Sequence, residues 1–122
     1  MMEHEIQAFG HRLGLESLSL SHDGLARLDI EGLGSFHLEL SQKGGRRELL
    51  AYLAIPVEPV REAETARRLL ALCDWRNGLP MPLSCGVFSG RAIVLTRMDE
   101  SKVSAAGLEN ALRFLAEAAY SG

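Results

Sequence analysis

The residues of this chain best suited to acid–base, nucleophilic or metal chemistry are its four histidines and two cysteines. His4 and His11 are seven positions apart, so on a helix they share a face. A metal site needs further ligands, and no third candidate has matching spacing, so the pair reads as a surface feature. His37 is followed two positions later by Glu39. On an extended strand both point the same way, and solvation across a wet strand face accounts for them. His22-Asp23-Gly24 is turn chemistry. A thiol nucleophile would require Cys73 or Cys85 beside a histidine base. Cys85 instead alternates with Leu83 and Val87, the pattern of a small buried hydrophobe. The spacing of the two cysteines matches no metal site. Gly24, Gly32 and Gly34 lie in turns ahead of strands, whereas a phosphate cradle needs a helix N-terminus. The sequence therefore predicts no catalytic residues, no metal and no cofactor, and a protein that is not an enzyme.

Composition narrows the field further. The 122 residues are 47% apolar and 24% charged, with a formal charge of -3, which is ordinary for a globular domain. A nucleic-acid binder needs a basic footprint to neutralise phosphates. Here Lys43, Arg46 and Arg47 are set among glycines and read as a solvated turn. The start, Met-Met-Glu-His-Glu, shows no secretory signal. The longest apolar run, Leu49 to Val57, falls well short of the ~18 residues a membrane span requires. The expectation is a cytoplasmic protein without membrane insertion, its cysteines kept as thiols.

The elements that must position these residues follow from periodicity. Ile6, Phe9 and Leu13 are spaced for one face of a helix over 2–13, closed by Gly14. The stretch 15–20 reads either as extended chain or as a short strand. After the Asp23-Gly24 turn, Ala26, Leu28 and Ile30 alternate with Arg27, Asp29 and Glu31. Beyond Gly32 to Gly34, Phe36, Leu38 and Leu40 alternate with His37, Glu39 and Ser41. Both patterns predict antiparallel strands with one wet face. The strand at 48–55 differs, with Leu49, Ala51, Leu53 and Ile55 on one side and Leu50, Tyr52 and Ala54 on the other. Pro56 and Pro59 end it.

A helix over 62–76 carries the stripe Ala66, Leu69, Leu70 and Cys73, with Asn77-Gly78 and Pro80 as its stop. Strands over 82–88 and 91–98 are joined by Ser89-Gly90, a two-residue hairpin signal. Asp99 or Ser101 caps a last helix to Tyr120, whose buried stripe is Leu108, Ala111, Leu112, Leu115 and Ala119. Gly107 weakens its first turn by up to ~1 kcal/mol relative to alanine. No internal repeat appears, so residues 1–122 form a single domain. The order is helix, three strands, helix, two strands, helix, an α+β pattern.

The later strands are apolar on both faces, and three helices must cover them. If the terminal helices share one face, the other is covered by the middle helix or by something outside the chain, because each exposed Leu or Ile forfeits roughly 1.5–3 kcal/mol of burial. Leu72 and Trp75 widen the middle helix's stripe and fit a dimer contact, where large aromatics are enriched. Trp75 equally fits an ordinary core position.

Four stretches carry a resemblance to a known family: FGHRLGLESLSLSHDGLARLDIEG near the start, LLAYLAIPVEP, LLALCDWRNGLP, and GVFSGRAIVLTRMDESKVSAAGLENALRFLAEAAY at the end. In order and spacing they resemble the class I type III secretion chaperones, the Tir-chaperone-like family, over Ile6 to Tyr120. The resemblance implies an α+β homodimer with an antiparallel five-stranded sheet and three helices, α-β-β-β-α-β-β-α. It implies an ATP-independent chaperone of the bacterial cytoplasm that holds the N-terminal region of an effector in extended form. By element it places the dimer contact at Leu69, Leu72, Trp75, Cys85 and Val87. It places effector binding at Ile6, Phe9, Leu13, Phe36, Leu38 and Leu40, with strand addition at a sheet edge. The same leucines also read as core. Rival readings are a regulatory member that binds another secretion-system protein, a small α+β ligand-binding domain or enzyme, and an adaptor that only dimerises.

Overall fold

A computed structural model describes residues 2–74 and 78–120. The chain runs α1 (Met2–Arg12), β1 (Leu25–Ile30), β2 (Gly34–Lys43), β3 (Arg46–Pro56), α2 (Glu62–Leu72), β4 (Ser84–Phe88), β5 (Arg91–Asp99) and α3 (Ala105–Tyr120). Short 3-10 turns at Pro59–Arg61 and Glu100–Lys102 precede α2 and α3. All five strands pair antiparallel in the order β1-β2-β3-β5-β4. This is the α+β architecture that the sequence predicts.

Local chemistry sets the boundaries. Gly14, at φ +84°, takes the left-handed position that closes α1, and its N–H donates to His11 O at 3.0 Å. The chain then doubles back as extended connector. Leu18 is buried against Gly10, where a methyl group would stand 2.7 Å from the Leu18 Cβ. Of the two readings of 15–20, extended chain is the one observed, because these residues pack on α1 and join no strand ladder. Gly44 and Gly45 both have positive φ and close the β2–β3 hairpin in two residues.

Three boundaries depart from expectation. β4 begins at Ser84 rather than Pro82, and α2 ends at Leu72, with Cys73 as its cap. Trp75, Arg76 and Asn77 lie outside the described residues. The cap of α3 is neither Asp99 nor Ser101. Asp99 accepts from the Ser101 N–H at 3.0 Å within the preceding 3-10 turn. Ser104 caps the helix, its Oγ accepting from the Gly107 N–H at 2.9 Å. Glycine suits that position, since a Cβ there would crowd the same hydroxyl at 2.9 Å.

One core fills the space between the sheet and the helices. From α1 come Met2, Ile6 and Phe9, and from the strands Phe36, Leu38, Leu49, Leu53 and Val94. Leu69 of α2 and Leu108, Leu115 and Ala119 of α3 close it. Phe9 and Phe36 meet with ring centroids 5.9 Å apart and planes tilted 60°. Arg68 on α2 donates to the Ala118 and Ala119 carbonyls at 3.2 and 2.8 Å, tying α2 to the end of α3. The carbonyl bonds put α2 beside α3, and Cys73 against Cys85, whose partner Val94 is buried, puts α2 on the same side of β4 and β5. The three helices therefore share one face of the sheet.

Candidate functional site

Because the helices lie on one side, the other face of the sheet has no helix over it among the described elements. Strand register orders this open face into rows. One row runs Arg27, His37, Tyr52, Leu95, Ser84 across all five strands. A second runs Leu25, Glu39, Leu50, Arg97, and a third Asp29, Ser35, Ala54, Ile93, Gly86. The half built by β1 and β2 is polar, as their alternation predicts. The half built by β3 and β5 presents Leu50, Tyr52, Ile93 and Leu95, all half-buried, and Ala54. Phe88 at the end of β4 adds an aromatic ring that is 62% exposed. Leaving side chains of this kind in water forfeits burial, and a contiguous patch of them marks a contact surface.

Polar chemistry borders the patch. His37 stacks on Tyr52 with centroids 4.6 Å apart and planes 6° from parallel, and its Nε2 lies 2.9 Å from Ser35 Oγ. Burial, then the neighbouring Arg27 charge, holds the His37 imidazole below its ordinary pKa, with Asp29 opposing and Arg91 adding to the effect. Burial and Glu39 push the Tyr52 phenol up. Both groups are thus held uncharged at neutral pH beside an apolar surface.

The second surface lies along α2 and the β4 edge. Leu70 is 65% exposed on α2, Val60 is 85% exposed in the turn before it, and Leu72, Cys85 and Val87 are half-buried. Among the described residues β4 pairs with β5 alone and β1 with β2 alone, so each end of the sheet keeps one free edge. Free edges are templates for another strand.

The sequence-based contact residues divide between these surfaces and the core. Ile6, Phe9, Phe36 and Leu38 are enclosed, each at most 1% exposed. As direct contacts for an effector they are corrected: they face the helix side of the sheet, where α1 and α3 pack, and offer no surface. Leu13 and Leu40 remain at the rim, half-buried, with Leu40 lining an open groove of about 330 Å³ beside Glu3, Leu20 and His22. Of the dimer residues, Leu69 is wholly buried in its own protomer and is likewise corrected to core. Its neighbour Leu70 holds the exposed position, because successive helical residues point about 100° apart. Leu72, Cys85 and Val87 stay accessible, and Trp75 lies outside the described residues.

Sequence reasoning missed Tyr52, Leu95, Leu70 and Phe88 as contact candidates. Strand parity could have found Phe88, which falls on the same side as Ser84 and Gly86.

The histidine candidates do not converge. His11 Nε2 meets the Glu16 carbonyl at 3.0 Å, and His37 sits on the sheet. No group of three His, Cys, Asp or Glu able to hold a metal occurs among the described residues. An open groove of about 660 Å³ runs from Arg27 past Gly34 to Arg91 and Tyr120. No described helix is long and apolar enough to cross a membrane.

Comparison with known proteins bears on what these surfaces serve. The profile of the family described as type III secretory system chaperone SycN matches residues 1–120. Curated proteins include no match. Among solved structures, the chain is similar to the Yersinia pestis type III secretion chaperone SycH in complex with a stable fragment of YscM2. The identity is 18% and the TM-score 0.68, covering 98% of this chain and 97% of that one. It is similar to the ExsC–ExsE complex at 20% identity and TM-score 0.67, over 97% and 87% of the two chains. It also resembles the HopA1–SchA chaperone–effector complex at 20% identity and TM-score 0.66, over 93% and 86%. At such identities the likeness establishes the fold.

Proposed function

Because this chain belongs to the type III secretory system chaperone SycN family, we propose that it binds the N-terminal region of a bacterial effector in extended form, as a homodimer and without ATP. The observation that carries this reading is the open apolar half-face of Leu50, Tyr52, Ile93 and Leu95 on a sheet whose helices all lie on the other side. A chaperone surface must be apolar enough to compete with the client's own collapse and small enough to leave the free protein dispersed. The charged border of Arg27, Asp29, Glu39 and Arg97 around the apolar half-face supports this reading.

In this reading the α2–β4 surface joins two copies, through Leu70, Leu72, Val87 and Phe88, with Trp75 and Cys85 as further contacts. The client rests on the open half-face and on the rim at Leu13 and Leu40, and the free β1 edge accepts an added strand. An extended segment pays its ordering entropy on binding, which leaves the complex releasable. The protein acts in the bacterial cytoplasm and turns nothing over. SycH is described in complex with a stable fragment of YscM2, and SchA with HopA1 as a chaperone–effector complex, which supports an effector client here.

Co-expression with the protein encoded beside this gene, followed by co-purification and native mass measurement, tests the proposal. The expected species contains two copies of this chain and the client segment, unchanged by nucleotide. A client-free monomer, or turnover of a small molecule, overturns it. Trp75→Glu is expected to split the dimer, and an intact dimer removes Trp75 from the interface.

A further inference from the structure

The two cysteines meet in the folded chain. Cys73 caps α2, Cys85 lies in the edge strand β4, and their sulfur atoms are 3.0 Å apart, with the Cys73 thiol donating to the Cys85 sulfur. Both are half-buried and unbonded to any other cysteine. An open groove of about 470 Å³, lined by Cys73, Leu79, Met81 and Leu83, reaches the Cys73 side of the pair from solvent. Burial, followed by the contact with Cys85, pushes the Cys73 thiol up to about 12, so it keeps its proton.

We propose that Cys73 and Cys85 form a reversible modification site that closes to an intrachain disulfide by exchange with a low-molecular-weight disulfide such as glutathione disulfide. One of the two, as thiolate, attacks one sulfur of that disulfide, forming a mixed disulfide on the protein and releasing one glutathione thiolate. The other thiol then gives up its proton to that thiolate and attacks the protein sulfur of the mixed disulfide, releasing the second glutathione. Two protein thiols are oxidised, one small disulfide is reduced to two thiols, and the atoms balance. The closed bond ties the end of α2 to a free sheet edge, across a separation of 12 positions. In an unfolded chain two thiols that far apart meet at an effective concentration on the order of millimolar. The fold holds them in contact, which favours closure. This inference stands on the sulfur geometry and does not require the chaperone reading, although Cys85 also borders the proposed contact between copies.

The test equilibrates the whole protein with reduced and oxidised glutathione at several ratios, quenches with an alkylating reagent and reads intact mass. Under native conditions the expected product is an intrachain disulfide, read at the mass of a single chain with no retained glutathione. Its equilibrium constant should exceed that of the same chain in denaturant by at least about tenfold, a shift of roughly 30 mV. Cys73→Ser and Cys85→Ser should each stop at a retained glutathione adduct on the remaining cysteine. Should either variant lose its fold by circular dichroism, the comparison of native with denatured parent chain carries the test alone. Retained adducts on the parent, intermolecular crosslinks, or equal constants in the native and denatured chains overturn the proposal.

Discussion

The two faces of strands β3 and β5 are built from nearly the same side chains and have opposite surroundings. Leu49, Leu53 and Val94 are wholly enclosed by the helices, while Leu50, Tyr52 and Leu95, the alternate residues of the same strands, keep half-open positions. The difference is one of packing partners rather than hydrophobicity. All three helices were spent on one side, so a leucine in the neighbouring position is left for something other than this protomer. An apolar residue on a strand therefore tells which face it occupies, and the helix count tells whether the chain itself can cover that face.

Substitutions can break this contrast or sharpen it. The largest effect belongs to the enclosed face: Phe36→Ala should cost about 3–5 kcal/mol, read from denaturant unfolding. A cost under 1 kcal/mol would mean that the helix layer does not close over Phe36. On the open face, Leu95→Glu should cost the protomer about 1 kcal/mol or less. It should also weaken client retention at least tenfold, about 1.4 kcal/mol, as measured by titrating a labelled client segment. Unchanged affinity would take the open face out of the client surface. The adjacent leucines of α2 give a parallel contrast. Leu69→Ala should destabilise the fold by about 2–5 kcal/mol, whereas Leu70→Glu should leave the circular dichroism spectrum intact and shift sedimentation to monomer.

Smaller effects refine the same picture. The Thr96 hydroxyl is buried on the helix face with no hydrogen-bond partner among the described residues. Thr96→Val should therefore raise stability by about 1 kcal/mol, and a loss of stability would reveal a hidden partner.

The slightest effect concerns His37 on the open face. Its pKa is lowered in the folded state by burial and Arg27, so the unfolded chain takes up the proton first as pH falls. Stability should thus be undiminished above the unfolded pKa of about 6.5 and decline as pH drops below it toward the folded value. Chemical denaturation between pH 5 and 7.5 should show this slope in the parent and a flatter one in His37→Gln. Identical slopes would assign the pH dependence to other groups.

Much of this architecture was legible from alternation and helical spacing. Period-two patterning places Phe36 and His37 on opposite faces, and doubled apolar faces are expected of β3, β4 and β5; β3 and β5 carry them, whereas β4 sets Ser84 and Gly86 on its open side. What could not be read is which side the helices choose, since a strand pattern is symmetric about its own plane. For that reason Ile6, Phe9, Phe36 and Leu38 looked available for contact and proved to be core. Leu69 and Leu70 were indistinguishable because each fits a wide stripe, and only the position of α3 decides which is inward. Ser104 was passed over as a cap because the 3-10 turn ahead of it uses Asp99 in the same way. The meeting of Cys73 with Cys85 depends on a helix end reaching a strand, which no local spacing encodes.

The last helix is also held from its far end by the first. Glu5 Oε1 on α1 accepts from the Ala105 N–H at 2.9 Å, the opening amide of α3, a hundred positions along the chain. At the other terminus, Tyr120 donates to the Leu33 carbonyl at 2.6 Å. Fraying at either end of α3 consequently disturbs a distant part of the sequence, and amide exchange along α1 and α3 should slow and quicken in concert. Clipping the opening turn of the chain would loosen its final helix.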